Sequence, residues 1–227
     1  MTKLNTYEPN SLVFYEARKN DVFTTSKDIA NGAGISHKKL KETIRRHEKR
    51  LRHFGFISAR YGTEIKTGET RGRKETLYDL NEQQATFLIT LLKNTDKVLD
   101  FKEDLVRQFY KLKEIVREKN TRDWELQRLV NKTTRKLETD QIKIFVEYAK
   151  EHGSKHADTY YKHFTILANK YAQIYNRDFS EFKKLKNLEM IEKIINKEIE
   201  CQISKKIEYH KAYRNIEAKV KMIAEYF

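Results

Sequence analysis

The densest chemistry in the chain is a run of cations between Ser36 and Phe54. Lys38, Lys39, Lys41, Arg45, Arg46, Lys49, Arg50 and Arg52 stand there against only Glu42 and Glu48. A lysine holds a phosphate as a point charge, and an arginine holds a phosphate or a guanine edge through two parallel hydrogen bonds. Leu40, Ile44, His47, Leu51 and Phe54 recur between the cations at three- or four-residue steps. The spacing predicts one helix, from Ser36 to Phe54, with a largely apolar stripe and a cationic face. A helix that merely faces solvent usually mixes its charges, so a one-sided face calls for a polyanionic partner.

The residues before this segment are suited to position it. Thr25 can cap a first helix, with Asp28 three residues on in a variant of the capping box. Ile29 and Ala30 then face inward. The run Asn31-Gly32-Ala33-Gly34 stops the helix, Ile35 supplies a buried turn residue, and Ser36 is a good N-cap for the second helix. This is a helix-turn-helix pattern, whose second helix reads base edges from its N-terminal side while its Lys and Arg hold phosphates. Ser36, His37, Lys38, Lys39, Lys41, Arg45, Arg46 and Lys49 are its candidate DNA contacts. For His37, packing, capping and DNA contact all stay open.

Residues Phe56 to Leu80 follow as a hairpin or short meander, alternating apolar and polar residues at each end around Gly62, Gly68 and Gly72. The tip carries Arg71, Arg73 and Lys74, which join the candidate DNA contacts. A basic hairpin after a recognition helix is the wing of a winged helix, lying along the phosphates or probing the minor groove. A basic loop with no partner is the plainer alternative. Upstream, Ser11 to Arg18 reads as a short strand that would pair with the wing.

Asn81 can cap a helix carrying Ala85, Phe87, Leu88, Ile89, Leu91 and Leu92, apolar nearly all round and so expected at the centre of the N-terminal domain. Lys97 to about Lys119 predicts another helix, with Val98, Phe101, Leu105, Phe109, Leu112 and Val116 on one face. The polar stretch 119–123 marks the expected boundary between domains 1–119 and 120–227. Beyond it, Trp124 to Leu137 reads as a helix or a bridge, and Asp140 to Lys150 as an amphipathic helix. After a turn at Gly153, Lys155 to about Tyr175 shows an aromatic face. That pair suits a helical hairpin better than a second DNA-binding module, because its bases are interleaved with acids. Leu188, Ile191, Ile195, Ile199, Ile203 and Ile207 then form a seam whose near-constant four-residue step drifts around a helix. The seam must wrap its partner, or the helix must break near Glu208 to His210. It either joins two chains as a homodimer or packs on the preceding hairpin.

The fold class expected is therefore mainly α: an N-terminal winged helix-turn-helix with a small β-hairpin, then a helical C-terminal domain. The net charge of +14 is shared between the halves, with 25 basic and 17 acidic side chains in residues 1–120 and 22 and 16 in residues 121–227. Nucleic acid is the partner this balance suits best, ahead of an acidic protein or an anionic membrane. One cysteine, Cys201, excludes an internal disulfide and a cysteine-based zinc site, and points to a reducing compartment. With neither a signal peptide nor a membrane span in the sequence, a cytoplasmic, nucleoid-associated protein of a bacterial host is expected. Catalysis finds little support. His152, His156 and His163 are separated by the Gly153 turn and lack a completing carboxylate or thiol. Gly32-Ala33-Gly34 is too short for a phosphate loop, and no serine or cysteine stands in a nucleophile frame. Neither metal nor cofactor is called for.

Several linked segments carry a resemblance. Residues 24–37 (TTSKDIANGAGISH), the basic helix after them, the FISARY strand, residues 80–94 (LNEQQATFLITLLKN) and the FKEDLVRQFY segment resemble the phage regulatory protein Rha family over roughly residues 10–118. The resemblance implies a phage- or prophage-encoded, DNA-associated regulator or antirepressor-like protein. Two functions are weighed on these grounds. One is a regulator that binds double-stranded DNA through the basic helix and wing. The other is an antirepressor whose C-terminal helices capture a repressor or another host protein.

Overall fold

The computed structural model describes residues 10–16, 21–62 and 75–227. Most of these are helical, so the fold is mainly α, with a small antiparallel sheet near the N-terminus and helices after it. The chain divides into two compact units, Met1–Glu114 and Ile115–Phe227.

In the first unit, strands β1 (Phe14–Glu16), β2 (Asp21–Thr25), β3 (Ser58–Gly62) and β4 (Glu75–Asn81) form one sheet of order β1-β2-β4-β3. Every pairing is antiparallel, with Phe14 opposite Phe23, Thr24 opposite Leu80 and Ala59 opposite Tyr78. The strand expected over Ser11 to Arg18 is shorter than that and lies at the edge. It is β2 that pairs with the hairpin strand β4. The reason is burial: Val22, Phe23, Thr24 and Thr25 are all inside, and a strand covered on both faces takes an interior place in the sheet.

Helices α1 (Ser26–Gly32) and α2 (His37–Arg46) intervene between β2 and β3, followed by the short α3 (Glu48–Leu51) and a single turn at Arg52–Phe54. Thr25 caps α1 by accepting the amide of Asp28, and Ser36 caps α2 by accepting that of Lys39. Gly32 allows a close approach, since a Cβ there would lie 2.1 Å from the Phe101 ring. Gly34 takes the left-handed turn conformation, with φ of 65°. Helix α4 (Glu82–Thr90) starts in a reciprocal capping box between Asn81 and Gln84. It is not buried all round, as its sequence suggested. Gln84, Ala85, Leu88 and Ile89 face inward while Gln83, Thr86 and Thr90 face solvent. Helix α5 (Asp96–Lys119) buries Val98, Phe101, Leu105, Phe109 and Leu112 on one face.

The second unit is helical: α6 (Arg122–Glu151), α7 (Tyr160–Tyr171), α8 (Phe182–Ser204) and α9 (Tyr209–Ala224). One uninterrupted 30-residue helix replaces the bridge and shorter helix expected over 124–150. Asn131, Thr134 and Glu138 point inward on it, so polar residues occupy core positions and blur the apolar periodicity. Helix α7 is shorter than predicted, because residues 157–159 form a separate turn before it. Its Tyr160, Phe164 and Leu167 enter the core. The break foreseen near Glu208 falls just before α9, where Lys206 adopts a left-handed φ of 54°.

The isoleucine seam is satisfied within the chain. Leu188, Ile191, Ile195 and Ile199 are fully buried in the core that holds Phe145, Tyr160, Phe164 and Ile216. Packing within the chain, one of the two uses left open for the seam, is the one these four side chains serve.

Candidate nucleic-acid interface

The cationic segment is not one helix. Its backbone turns at His47, where φ is −108° and ψ 14°, so Lys49, Arg50 and Arg52 leave the axis of α2. The amides of Arg50 and Leu51 both reach the His47 carbonyl, at 3.0 Å each. This turn lets Leu51 enter the core beside Leu40 and Ile44. A straight helix would have drawn the whole stripe along one line. In the bent one, His47 is half-buried against Phe87, and Phe54 packs on Phe87 while remaining 37% exposed.

On α2 the side chains of Lys38, Lys39, Arg45 and Arg46 are exposed, as are Lys49 and Arg50 on α3. Among the described residues none of these six has an ion-pair partner, unlike Arg52, which pairs with Glu48 at 2.6 Å. The steps 38, 42 and 45 place Lys38 and Arg45 along one side of α2, and Glu42 is the single acid between them. The other predicted contacts stand differently. Ser36 spends its hydroxyl on the Lys39 amide. Lys41 is half-buried, its ammonium 4.0 Å from the Glu75 carboxylate. Arg71, Arg73 and Lys74 lie outside the described residues.

His37 turns inward, its side chain 11% exposed and both ring nitrogens engaged. Nε2 lies 2.8 Å from the Ser26 hydroxyl, and Nδ1 lies 2.5 Å from a Glu75 carboxylate oxygen. The carboxylate fixes the proton on Nδ1, leaving Nε2 to accept from Ser26 when the ring is neutral. Ser26 also accepts the Tyr78 amide at 3.0 Å. Glu75 draws Lys27 as well, at 3.5 Å. The hydrogen bond from His37, aided by its charge and those of Lys27 and Lys41, holds the Glu75 carboxyl below its ordinary range. Both ring nitrogens of His37 are thus engaged in hydrogen bonds within the protein. Ser26, Lys27 and Glu75 were not singled out from the sequence. Nothing local marks them, because their partners come from distant segments.

Ser26, His37 and Glu75 have the connectivity of a hydrolase triad, yet Ser26 is fully buried. Its hydroxyl accepts the Tyr78 amide and meets His37 Nε2. Two further contacts hold the ends of this region together. The Asn81 side-chain amide donates to the Phe54 carbonyl at 2.7 Å, and the Gln84 side-chain amide donates to the Gly55 carbonyl at 2.9 Å. Gly55, with φ of 125°, makes the corner from α3 into β3.

The class of protein this arrangement defines is a small mixed helix-and-sheet unit presenting a basic helix between two strands of an antiparallel sheet. Comparison with known families specifies it further: the model of the family described as phage regulatory protein Rha matches residues 24–114. The matched span covers the capped helix pair, the hairpin strands, α4 and most of α5. Searches of the curated proteins and of the solved structures gave no significant match.

Proposed function

We propose that this chain is a phage regulator whose N-terminal unit binds double-stranded DNA as a winged helix-turn-helix. The observation that carries the reading is the face of α2. Four cations there are free of acidic partners among the described residues, on a helix whose opposite side is anchored by Leu40 and Ile44. Lys38 and Lys39 stand in the first turn, from which a recognition helix meets base edges, and Arg45, Arg46 and Lys49 follow toward the phosphates. The hairpin formed by β3 and β4 is the wing, and the family match supports a regulatory role. A mobility shift on phage promoter fragments with a salt titration tests the proposal. Preference for one fragment, with affinity falling steeply as salt rises, is expected. Equal, weak binding to all fragments at every salt concentration would overturn it.

A second reading, capture of a repressor or host protein in the manner of an antirepressor, is favoured by one observation. Leu126, Leu129, Val130, Leu137 and Ile144 lie exposed along α6, at 42–61% of their area. Apolar surface gathered on one helix face marks a protein-binding surface more often than a solvated one. If this reading holds, Leu137→Glu leaves DNA affinity unchanged and abolishes relief of a phage repressor's operator binding.

A further inference from the structure

We propose that Ser26, His37 and Glu75 form a latch between the start of α2 and the root of the hairpin, which makes His37 and Glu75 determinants of DNA sequence discrimination that act by positioning. The inference rests on the DNA-binding reading above. The apolar anchors of α2 are Leu40 and Ile44, one and two turns into the helix. The first turn, where Lys38 and Lys39 stand exposed, is held instead by the inward ring of His37. That ring connects three elements. The Tyr78 amide of β4 donates to the Ser26 hydroxyl of α1 at 3.0 Å, and this hydroxyl lies 2.8 Å from His37 Nε2. His37 Nδ1 then meets Glu75, where β4 begins, at 2.5 Å.

Each link has one donor and one acceptor, so the chain specifies direction as well as distance, which apolar contact alone does not. Base readout by a helix and phosphate contact by a wing must be met together on one duplex. A small rotation of the first turn of α2 moves Lys38 and Lys39 off their base edges while leaving total charge and gross affinity untouched. Lys27 and Lys41, with ammonium groups 3.5 and 4.0 Å from Glu75, add positive charge beside the acceptor.

The experiment uses the full chain, a duplex that the wild-type protein selects from a randomised library, and poly(dI-dC) as the non-specific duplex. Glu75→Ala and Glu75→Gln remove the same charge, but only Gln keeps an oxygen that can accept from His37. At a temperature well below unfolding, Glu75→Ala and His37→Ala should lose about tenfold in the ratio of selected to poly(dI-dC) affinity, while Glu75→Gln keeps most of it. Equal ratios in Glu75→Ala and Glu75→Gln overturn the proposal, because the charge and not the hydrogen bond would then be responsible.

A readout independent of DNA guards the case in which the alanine variants fold poorly. In the wild-type protein the His37 ring N–H should be visible and exchange-protected by nitrogen NMR. In Glu75→Ala it should be lost, and the Tyr78 amide should exchange about tenfold faster. A wild-type ring N–H that exchanges as freely as an exposed histidine sinks the latch even if duplex binding is specific. A protected ring in a chain that binds no duplex overturns the DNA reading, and discrimination with it.

Discussion

Two glutamates show how differently the two units use a carboxyl group. Glu75, at the edge of the N-terminal unit, is partly open to solvent and stands among His37, Lys27 and Lys41. It stays ionised below the ordinary range and orients a surface. Glu138, inside the C-terminal unit, has no exposed side-chain area, and burial followed by the charge of Glu192 pushes its carboxyl up to about 7. Glu192 is also fully buried and raised by that burial. Arg135 pairs with Glu138 and donates to Thr165 of α7, while Arg177 pairs with Glu192 at 2.7 Å and donates to Asn169. Oε1 of Glu138 and Oε2 of Glu192 have no other partner among the described residues. A proton on Glu138 removes its repulsion with the buried Glu192. The first arrangement sets the direction of a helix in water; the second keeps a core polar at the cost of carrying a proton.

The contrast can be broken at the buried end first. Arg177→Met leaves Glu192 in the core without its cation and should destabilise the C-terminal unit by about 3–5 kcal/mol. Trp124 is the one tryptophan of the chain and is buried in that unit, so its fluorescence in a urea titration reports this unfolding directly. A loss below about 1 kcal/mol would mean that the carboxyl is already neutral without the arginine.

The pH dependences of the two units should then have opposite signs. Glu138 titrates near 4.5 when unfolded and near 7 when folded. Its contribution is therefore fully present below 4.5 and is lost as pH rises through about 7. The loss is on the order of 3 kcal/mol for a shift of this size, and Glu138→Gln should flatten the slope seen by Trp124. Glu75 is depressed below 4.5, so its contribution is present above that value and is lost as pH falls through its lower folded value. Amide exchange at Tyr78, followed toward acid, checks that side. A Trp124 stability curve that rises from pH 5 to 8 would refute the buried proton.

A smaller effect is expected at the surface where the proposed chemistry lies. Arg45→Ala on the exposed face of α2 should leave unfolding unchanged and weaken specific duplex binding by about 1–3 kcal/mol, relaxing preference at one base position. Wild-type affinity with an unchanged site would remove α2 from the interface. The smallest effect belongs to Arg107→Ala. Its pair with Glu103 is a one-turn surface contact with both side chains about 70% exposed, and its removal should change stability by less than about 0.5 kcal/mol in urea.

What could be read from the sequence was local. Thr25, Ser36 and Asn81 cap the helices expected of them because each hydroxyl or amide reaches an amide three residues on. The left-handed Gly34 closes the turn before α2, and the α5 face and the break before α9 follow from apolar spacing along one strand of sequence. Tertiary packing decided the rest. The bend at His47 exists because Leu51 must reach the same core as Leu40 and Ile44, a demand that a helical pattern does not express. The inward side of α6 carries Asn131, Thr134 and Glu138, whose polarity reads as solvent exposure until the Leu185 carbonyl, the Val130 carbonyl and Arg135 supply their respective partners. The isoleucine seam announced burial but not against what, since a second chain and a neighbouring helix offer the same apolar surface. Ser26, His37 and Glu75 are joined only when β4 returns beside α1, and hydrogen bonds between segments that distant leave no period in the sequence to be read.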